Sequence, residues 1–259
     1  MTRKPPPRPA APGRPQRERQ DWISRALARA GVMTLAEAEE AIRAGRVRIS
    51  GRVVRQPFAV VQPGEDVRVD GHKVQMRRDT RVLCFHKPAG VVTAPEDGHS
   101  KGDTAFTLLS AQLPPELAGF GWHAVGRLDR NTTGLLLFTN DERFVAHATS
   151  PSTHLPRRYE AEVQGGATEE KLQPLRDGIE LDDGPARPAK AELLDAAHVA
   201  VTLTEGRFHQ VKRMLGAVGL PVRRLHRAAV GSLELDVPEG TFRELAPEEV
   251  REALGFPPG

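Results

Sequence analysis

The sequence predicts an α+β protein in two parts: a small N-terminal α+β unit, then a mixed, largely antiparallel-sheet unit. Three observations carry this. Residues 20–75 show two short helical patterns followed by short strands with arginines facing outward. Residues 82–254 show strand and helix signals in alternation, the pattern of a mixed sheet with helices packed on it. Between them, residues 76–81 are polar and charged and read as a linker. Charge divides at the same place: residues 1–81 carry 18 Lys/Arg against 9 Asp/Glu, and the rest of the chain 19 against 25.

A chain of 259 residues, 39% hydrophobic, suits one large or two modest domains with a real core. Its single cysteine, Cys84, excludes an internal disulfide and a zinc site built on clustered cysteines. No run approaches the ~18 apolar residues of a membrane span. The first twenty residues lack the apolar segment of a signal peptide. A soluble cytoplasmic protein is the expectation, with a monomer as the default. The basic N-terminal part suits a module that meets a polyanion; a solvated basic surface is the alternative.

Residues 1–19 hold six prolines and six Arg/Lys, a composition that cannot bury a core and predicts a disordered basic tail. In residues 20–75, Trp22, Ile23, Ala26, Leu27 and Ala30 recur at helical spacing, and Gly31 ends that helix. Thr34 with Glu37 forms a capping box for a second helix, which Gly45 stops. Val47 and Ile49 alternate with Arg46 and Arg48 before the turn Ser50-Gly51, and Val67 and Val69 repeat the alternation before Asp70-Gly71. The second part opens with an apolar strand from Val82. Strands are predicted at 135–139, 158–163, 189–194, 199–204 and 229–235, and helices at 141–148, 168–176 and 207–218.

The candidate for chemistry is Asp129. It stands between Arg127 and Arg130, ahead of the polar turn Asn131-Thr132-Thr133-Gly134 and the apolar run Leu135-Leu136-Leu137-Phe138. An acid in a turn just before a buried strand is held in place, and arginines beside it favour its charged form, as a nucleophile or base requires. On the helix predicted at 207–218, His209, Lys212, Arg213 and Gly216 share one face, and Val211, Met214, Leu215 and Val218 the other.

Residues 126–141 also carry a resemblance. Gly126, Arg127, Leu128, Asp129, Thr132, Gly134, Leu135 and Leu136 fill, almost position for position, the active-site pattern of the pseudouridine synthases that modify ribosomal RNA. Lys87-Pro88-Ala89-Gly90, the strand Arg158-Tyr159-Glu160-Ala161-Glu162-Val163, and the string from Glu205 to Met214 match three further motifs of that family. Residues 20–75 resemble the alpha-L RNA-binding domain first seen in a small-subunit ribosomal protein. The match rests on Arg25, Ala30-Gly31, Gly45-Arg46-Val47, Gly51 and Val69-Asp70-Gly71. The second helix here starts Met33-Thr34-Leu35, without the basic pair that relatives often carry.

The resemblance implies the rest. The reaction breaks the bond from ribose to ring nitrogen and remakes it to carbon 5 of the same uracil. Nothing is oxidised, so no cofactor and no metal are expected. The uridine must be flipped out of its stack. Asp129, Tyr159 and Lys212 are implied as catalytic: nucleophile, stacking aromatic and charge partner. Arg127, Arg130, Arg158, Arg207, His209 and Arg213 are implied as substrate or RNA contacts, as are Arg25, Arg46 and Arg48 in the N-terminal unit. Arg223, Arg224 and Arg227 are further phosphate contacts on this reading. The expected partner is ribosomal RNA or a ribosomal-subunit assembly intermediate. Phe208-His209-Gln210-Val211-Lys212 is closer to the small-subunit enzyme, with large-subunit RNA as the alternative. Two rivals remain: a non-catalytic RNA-binding assembly factor, and an Asp-dependent hydrolase, which would want a second acid or a metal cluster.

Overall fold

A computed structural model describes residues 21–62, 64–74, 76, 79–94 and 104–257. The segment read as a basic tail, residues 1–19, lies outside the described residues. The chain divides into two compact units, Met1–Met76 and Arg77–Gly259.

In the first unit, helices α1 (Ile23–Arg29) and α2 (Leu35–Arg43) pack on a four-stranded antiparallel sheet. Its strands are β1 (Val47–Ile49), β2 (Arg52–Val54), β3 (Val67–Val69) and β4 (His72–Lys73), in the order β2-β1-β3-β4. The capping box forms: the Glu37 amide donates to Thr34 Oγ1 (3.3 Å), and the Thr34 amide to Glu37 Oε2 (2.8 Å). Ser50-Gly51 and Asp70-Gly71 both sit at positive φ, 47° and 81° and then 51° and 81°. Paired positive φ values match the twist of a tight antiparallel hairpin. Alternation buries Val47, Ile49, Val67 and Val69 with Ile23, Leu27, Ala38 and Ile42. Arg46, Arg48 and Arg68 are left outside.

The second unit is built on a nine-stranded sheet. Its strands are β5 (Val82–Lys87), β6 (Thr132–Thr139), β7 (Arg157–Val163), β8 (Lys190–Leu193), β9 (His198–Leu203), β10 (Val222–Val230) and β11 (Phe242–Glu244), with short strands at His123–Ala124 and Leu233–Glu234. The order is β8-β9-β7-β10-β6-β5-β11. Among the described residues every pairing in it is antiparallel except β10 with β6, which run parallel through Leu225↔Thr132, His226↔Thr133 and Arg227↔Gly134. At this seam the two backbones come unusually close. A Cβ on Gly134 (φ +112°) would lie 2.3 Å from the Arg227 carbonyl oxygen, so only glycine fits.

Helices α3 (Ala105–Ser110), α4 (Glu142–Thr149), α5 (Glu169–Asp177), α6 (Gln210–Ala217) and α7 (Pro247–Leu254) cover the sheet. Leu83, Phe85, Leu136 and Phe138 face α3 on one side, and Val82, Cys84, Leu135 and Leu137 face α4 and α7 on the other. A third cluster joins Leu172 and Leu175 of α5, Val199 and Val201 of β9, and Val211, Met214 and Leu215 of α6. No helix of the described residues is long and apolar enough to cross a membrane.

The structure departs from expectation in three places. The strand expected at 229–235 begins at Val222 and is broken after Val230, so it also takes in Arg223 and Arg224. The helix expected from 207 begins at Gln210, because His209 takes a left-handed conformation (φ +52°). The end of the stretch read as linker is bonded into the second unit: the buried Thr80 hydroxyl donates to Asp141 Oδ2 (2.7 Å), and the Arg81 amide to Asn140 Oδ1 (2.8 Å).

Candidate active site

Asp129 lies on the loop that enters β6, at the parallel seam. Its loop is held from behind by the segment that leaves β5. Lys87 ends that strand on the face of Leu83 and Phe85 and is fully buried. Its ammonium donates to the carbonyls of Pro88 (2.8 Å), Arg130 (3.2 Å) and Thr132 (2.9 Å), so one side chain grips the loop on both sides of Asn131. The Thr93 hydroxyl donates to the Leu128 carbonyl (3.1 Å) and accepts from its amide (3.2 Å). The Gly90 amide donates to the Arg130 carbonyl (2.9 Å), and Arg130 Nε returns to the Gly90 carbonyl (3.0 Å). Unpaired buried carbonyls cost about 1–3 kcal/mol each, so this set of donors fixes the loop. Burial pushes the Lys87 amine down to about 8; the Asp129 charge works against that shift and Arg227 adds to it.

From the front, Lys212 of α6 and His209, the residue just before that helix, face the carboxylate. Lys212 Nζ lies 2.7 Å from Asp129 Oδ2, and His209 Nε2 lies 3.2 Å from Oδ1. The Thr132 hydroxyl stands 3.5 Å from Oδ2. The carboxylate remains about one-third exposed (32%), so a substrate atom can reach it. The helix is aimed by its other face: Val211, Met214 and Leu215 are buried in the core. The resulting site is a fixed, approachable carboxylate with charge-stabilising partners, suited to nucleophilic or basic attack.

Tyr159, the only tyrosine in the chain, is half-buried on β7, opposite Arg227 of β10 and Val201 of β9. It packs against both the cluster that contains Leu128, next to Asp129, and the cluster that contains Val211 of α6. Arg127 and Arg130 are exposed on the Asp129 loop.

The remaining arginines are placed differently. Arg158 points to the opposite face of the sheet from Tyr159, as strand alternation demands, where it pairs with Glu160 and Glu192. Arg207 and Arg213 flank the Asp129 partners but turn away from them. Arg213 pairs with Asp182 and Asp183, and Arg207 with Asp183 and the carbonyls of Gly184 and Pro185. These acids lie in the turn of a hairpin, Glu180–Leu181 with Gly184–Pro185. Arg227 is 3% exposed and donates to the Leu135 carbonyl (2.7 Å), so it braces the parallel seam and is not a surface phosphate contact. In the first unit Arg46 pairs with Asp70 (2.5 Å), Arg48 donates to the Gly51 carbonyl (3.1 Å), and Arg25 lies over the Trp22 ring (4.6 Å).

Sequence reasoning quoted Lys87 without giving it a role. Its signal was present: it continues the buried alternation Leu83, Phe85. Thr93 carried no signal, because a lone threonine outside any motif does not announce a partner 35 residues away. Asp182 and Asp183 were missed as well, since nothing local ties them to α6.

A family of RNA pseudouridylate synthases matches residues 81–217. Ribosomal large subunit pseudouridine synthase B of Escherichia coli (strain K12) is 37% identical over 250 residues, covering 91% of this chain and 84% of its own length. Ribosomal small subunit pseudouridine synthase A of Yersinia pestis is 35% identical over 231 residues, covering 88% and 94%. A solved pseudouridylate synthase structure superposes with a TM-score of 0.62 at 30% identity, covering 90% of this chain and 99% of that one. Fold, family motifs and these relatives agree: the chain belongs to the RNA pseudouridylate synthase family, an α+β isomerase family.

Proposed function

We propose that this protein converts a uridine of ribosomal RNA to pseudouridine, with Asp129 as the nucleophile. The observation that carries the reading is the pairing of Asp129 with Lys212 at 2.7 Å, on a loop clamped by Lys87. The carboxylate attacks ribose carbon 1 or the uracil ring. By either route the bond from C1′ to N1 breaks, C5 bonds to C1′, a proton leaves C5, and N1 gains one. Lys212 stabilises the charged carboxylate in the ground state, and the neighbouring Tyr159 ring offers a stacking surface for the flipped base, worth ~1–3 kcal/mol. That offsets the few kcal/mol needed to extract the base. No step calls for a cofactor or metal. The protein is taken as a monomer acting on cytoplasmic rRNA, with residues 20–75 as its alpha-L RNA-binding domain and residues 82–254 as its catalytic domain.

The target subunit is argued from α6 and its entry. Relatives named for both ribosomal subunits match at nearly equal identity. Phe208-His209-Gln210-Val211-Lys212 favours small-subunit RNA. Two measurements test these statements. Asp129→Asn should bind rRNA with near-wild-type affinity and yield no pseudouridine by nucleoside analysis; substantial product would sink the nucleophile assignment. Deletion of the gene should remove one pseudouridine from small-subunit rRNA. Loss from large-subunit rRNA instead would overturn the subunit assignment and leave the chemistry standing.

A further inference from the structure

Phe208 is 76% exposed, the most exposed large hydrophobic among the described residues, and it directly precedes His209 of the candidate site. Its ring lies nearly parallel to that of His209, with centroids 3.8 Å apart and an interplanar angle of 22°. His209 in turn places Nε2 3.2 Å from Asp129 Oδ1. One face of Phe208 is therefore covered by an imidazole that touches the carboxylate. With the ring this exposed, its outer side is left to solvent.

The segment that presents this ring is stiff. His209 holds φ +52°, a conformation that is unfavourable for a non-glycine residue and persists only where neighbours impose it. The neighbours are present. The Arg207 amide donates to Gln210 Oε1 (3.0 Å), and Gln210 Nε2 donates to Glu205 Oε1 (2.5 Å). Arg213 Nη1 donates to the Phe208 carbonyl (3.1 Å). A flat ring held outward by such bracing is preorganised for a flat partner.

Resting on the function proposed above, we propose that Phe208 is an RNA-stacking residue: its open face takes the base that flanks the extracted uridine. Base flipping leaves that neighbour with one stacking partner missing. An aromatic face beside the site replaces the lost partner, whatever the base, because every base has a π-face. The stack His209–Phe208–base would extend from the carboxylate to the RNA helix and set the register of the target. A single base–aromatic stack corresponds to roughly a 5- to 150-fold change in affinity.

The test uses the full-length enzyme and an rRNA fragment around its mapped uridine, with 2-aminopurine placed at each flank in turn. Bound to the Asp129→Asn protein, the probe at one flank should be quenched. Adding Phe208→Ala or Phe208→Leu should leave it bright, although leucine keeps the apolar bulk. In the active background both substitutions should lower kcat/KM about tenfold, mainly through KM, and Phe208→Trp should restore quenching and turnover. Unchanged probe fluorescence in the alanine and leucine variants overturns the proposal, whether or not their activity falls. So does a change in oligomeric state by light scattering without a change in the probe, which would make Phe208 a contact between copies of this chain. If the wild-type enzyme forms no pseudouridine, the functional reading itself fails and this inference falls with it.

Discussion

Two pairs of basic residues at the start of α6 meet different fates. His209 and Lys212 converge on one carboxylate, Asp129, which is only about one-third exposed. Arg207 and Arg213 converge on Asp182 and Asp183, which are exposed and lie in a hairpin turn. The bond from Arg213, reinforced by Arg207, holds the Asp183 carboxyl down to about 2. All four residues lie within seven positions of sequence, and helical spacing alone groups His209, Lys212 and Arg213 on one face. What separates them is the element each side chain meets, a property of the tertiary fold. A cluster of cations beside an active site is therefore not yet a phosphate site; its existing partners decide.

The largest effect expected from this contrast is at Lys212. Lys212→Met removes the charge next to Asp129 and should lower the single-turnover rate of pseudouridine formation about 10²- to 10³-fold. RNA binding, measured separately by filter retention, should change little. Lys212→Arg should recover part of the rate. A methionine variant within threefold of wild type would show that the pairing matters for folding alone, and the comparison with Arg213 would lose its meaning.

Lys87 sharpens the same contrast, because it serves the Asp129 loop from the buried side. Lys87→Met removes the donor shared by the carbonyls of Pro88, Arg130 and Thr132, of which Arg130 keeps the Gly90 amide, and should cost about 2 kcal/mol of stability or more, with a clear loss of turnover. Its titration also has a defined sign. The amine falls from 10.5 in the unfolded chain to about 8 in the folded one, driven by burial. Between these values the unfolded chain binds more protons, so this group makes stability rise with pH across that window. Below about 8 both states are protonated and the group contributes no slope. Above about 8 the neutral amine keeps two N–H donors for three carbonyls, so turnover should decline even as this stability term grows. Urea unfolding of wild type and Lys87→Met between pH 7.5 and 10 checks it: the wild type should gain relative to the variant as pH rises.

Much of this was legible in the sequence, for physical reasons that differ by residue. Thr34 and Glu37 announce a cap because both partners lie within one helical turn. Ser50-Gly51 and Asp70-Gly71 announce turns because few residues accept positive φ. The Asp129 loop and the Lys212 position were legible as motif. Arg227 was misread because a cation in a charged string looks like surface. Only the sheet order reveals that it lies beside Gly134 at the parallel seam and bonds the Leu135 carbonyl. The side on which Arg158 lies follows from strand parity: with Tyr159 on the site face, its neighbour must lie on the other. Lys87 shows the converse, an ionisable group whose place in a buried alternation marks it as structural support.

The smallest effect tests the second pair directly. In the folded protein Asp182 and Asp183 occupy Arg207 and Arg213, so RNA phosphates must compete with two carboxylates for those guanidinium groups. Asp182→Asn with Asp183→Asn removes the competing charge while leaving the hairpin able to accept hydrogen bonds. If either arginine also serves RNA, rRNA affinity at low salt should rise a few-fold. The slope of log affinity against log salt should steepen by roughly 1–2, about one per phosphate gained. Turnover of bound RNA should stay close to wild type, because Lys212 and His209 are untouched. An unchanged salt slope would assign both arginines purely to bracing. Arg213 would then act through the Phe208 carbonyl it holds, and the basic face of this enzyme would have to be sought among residues whose partners are not already carboxylates.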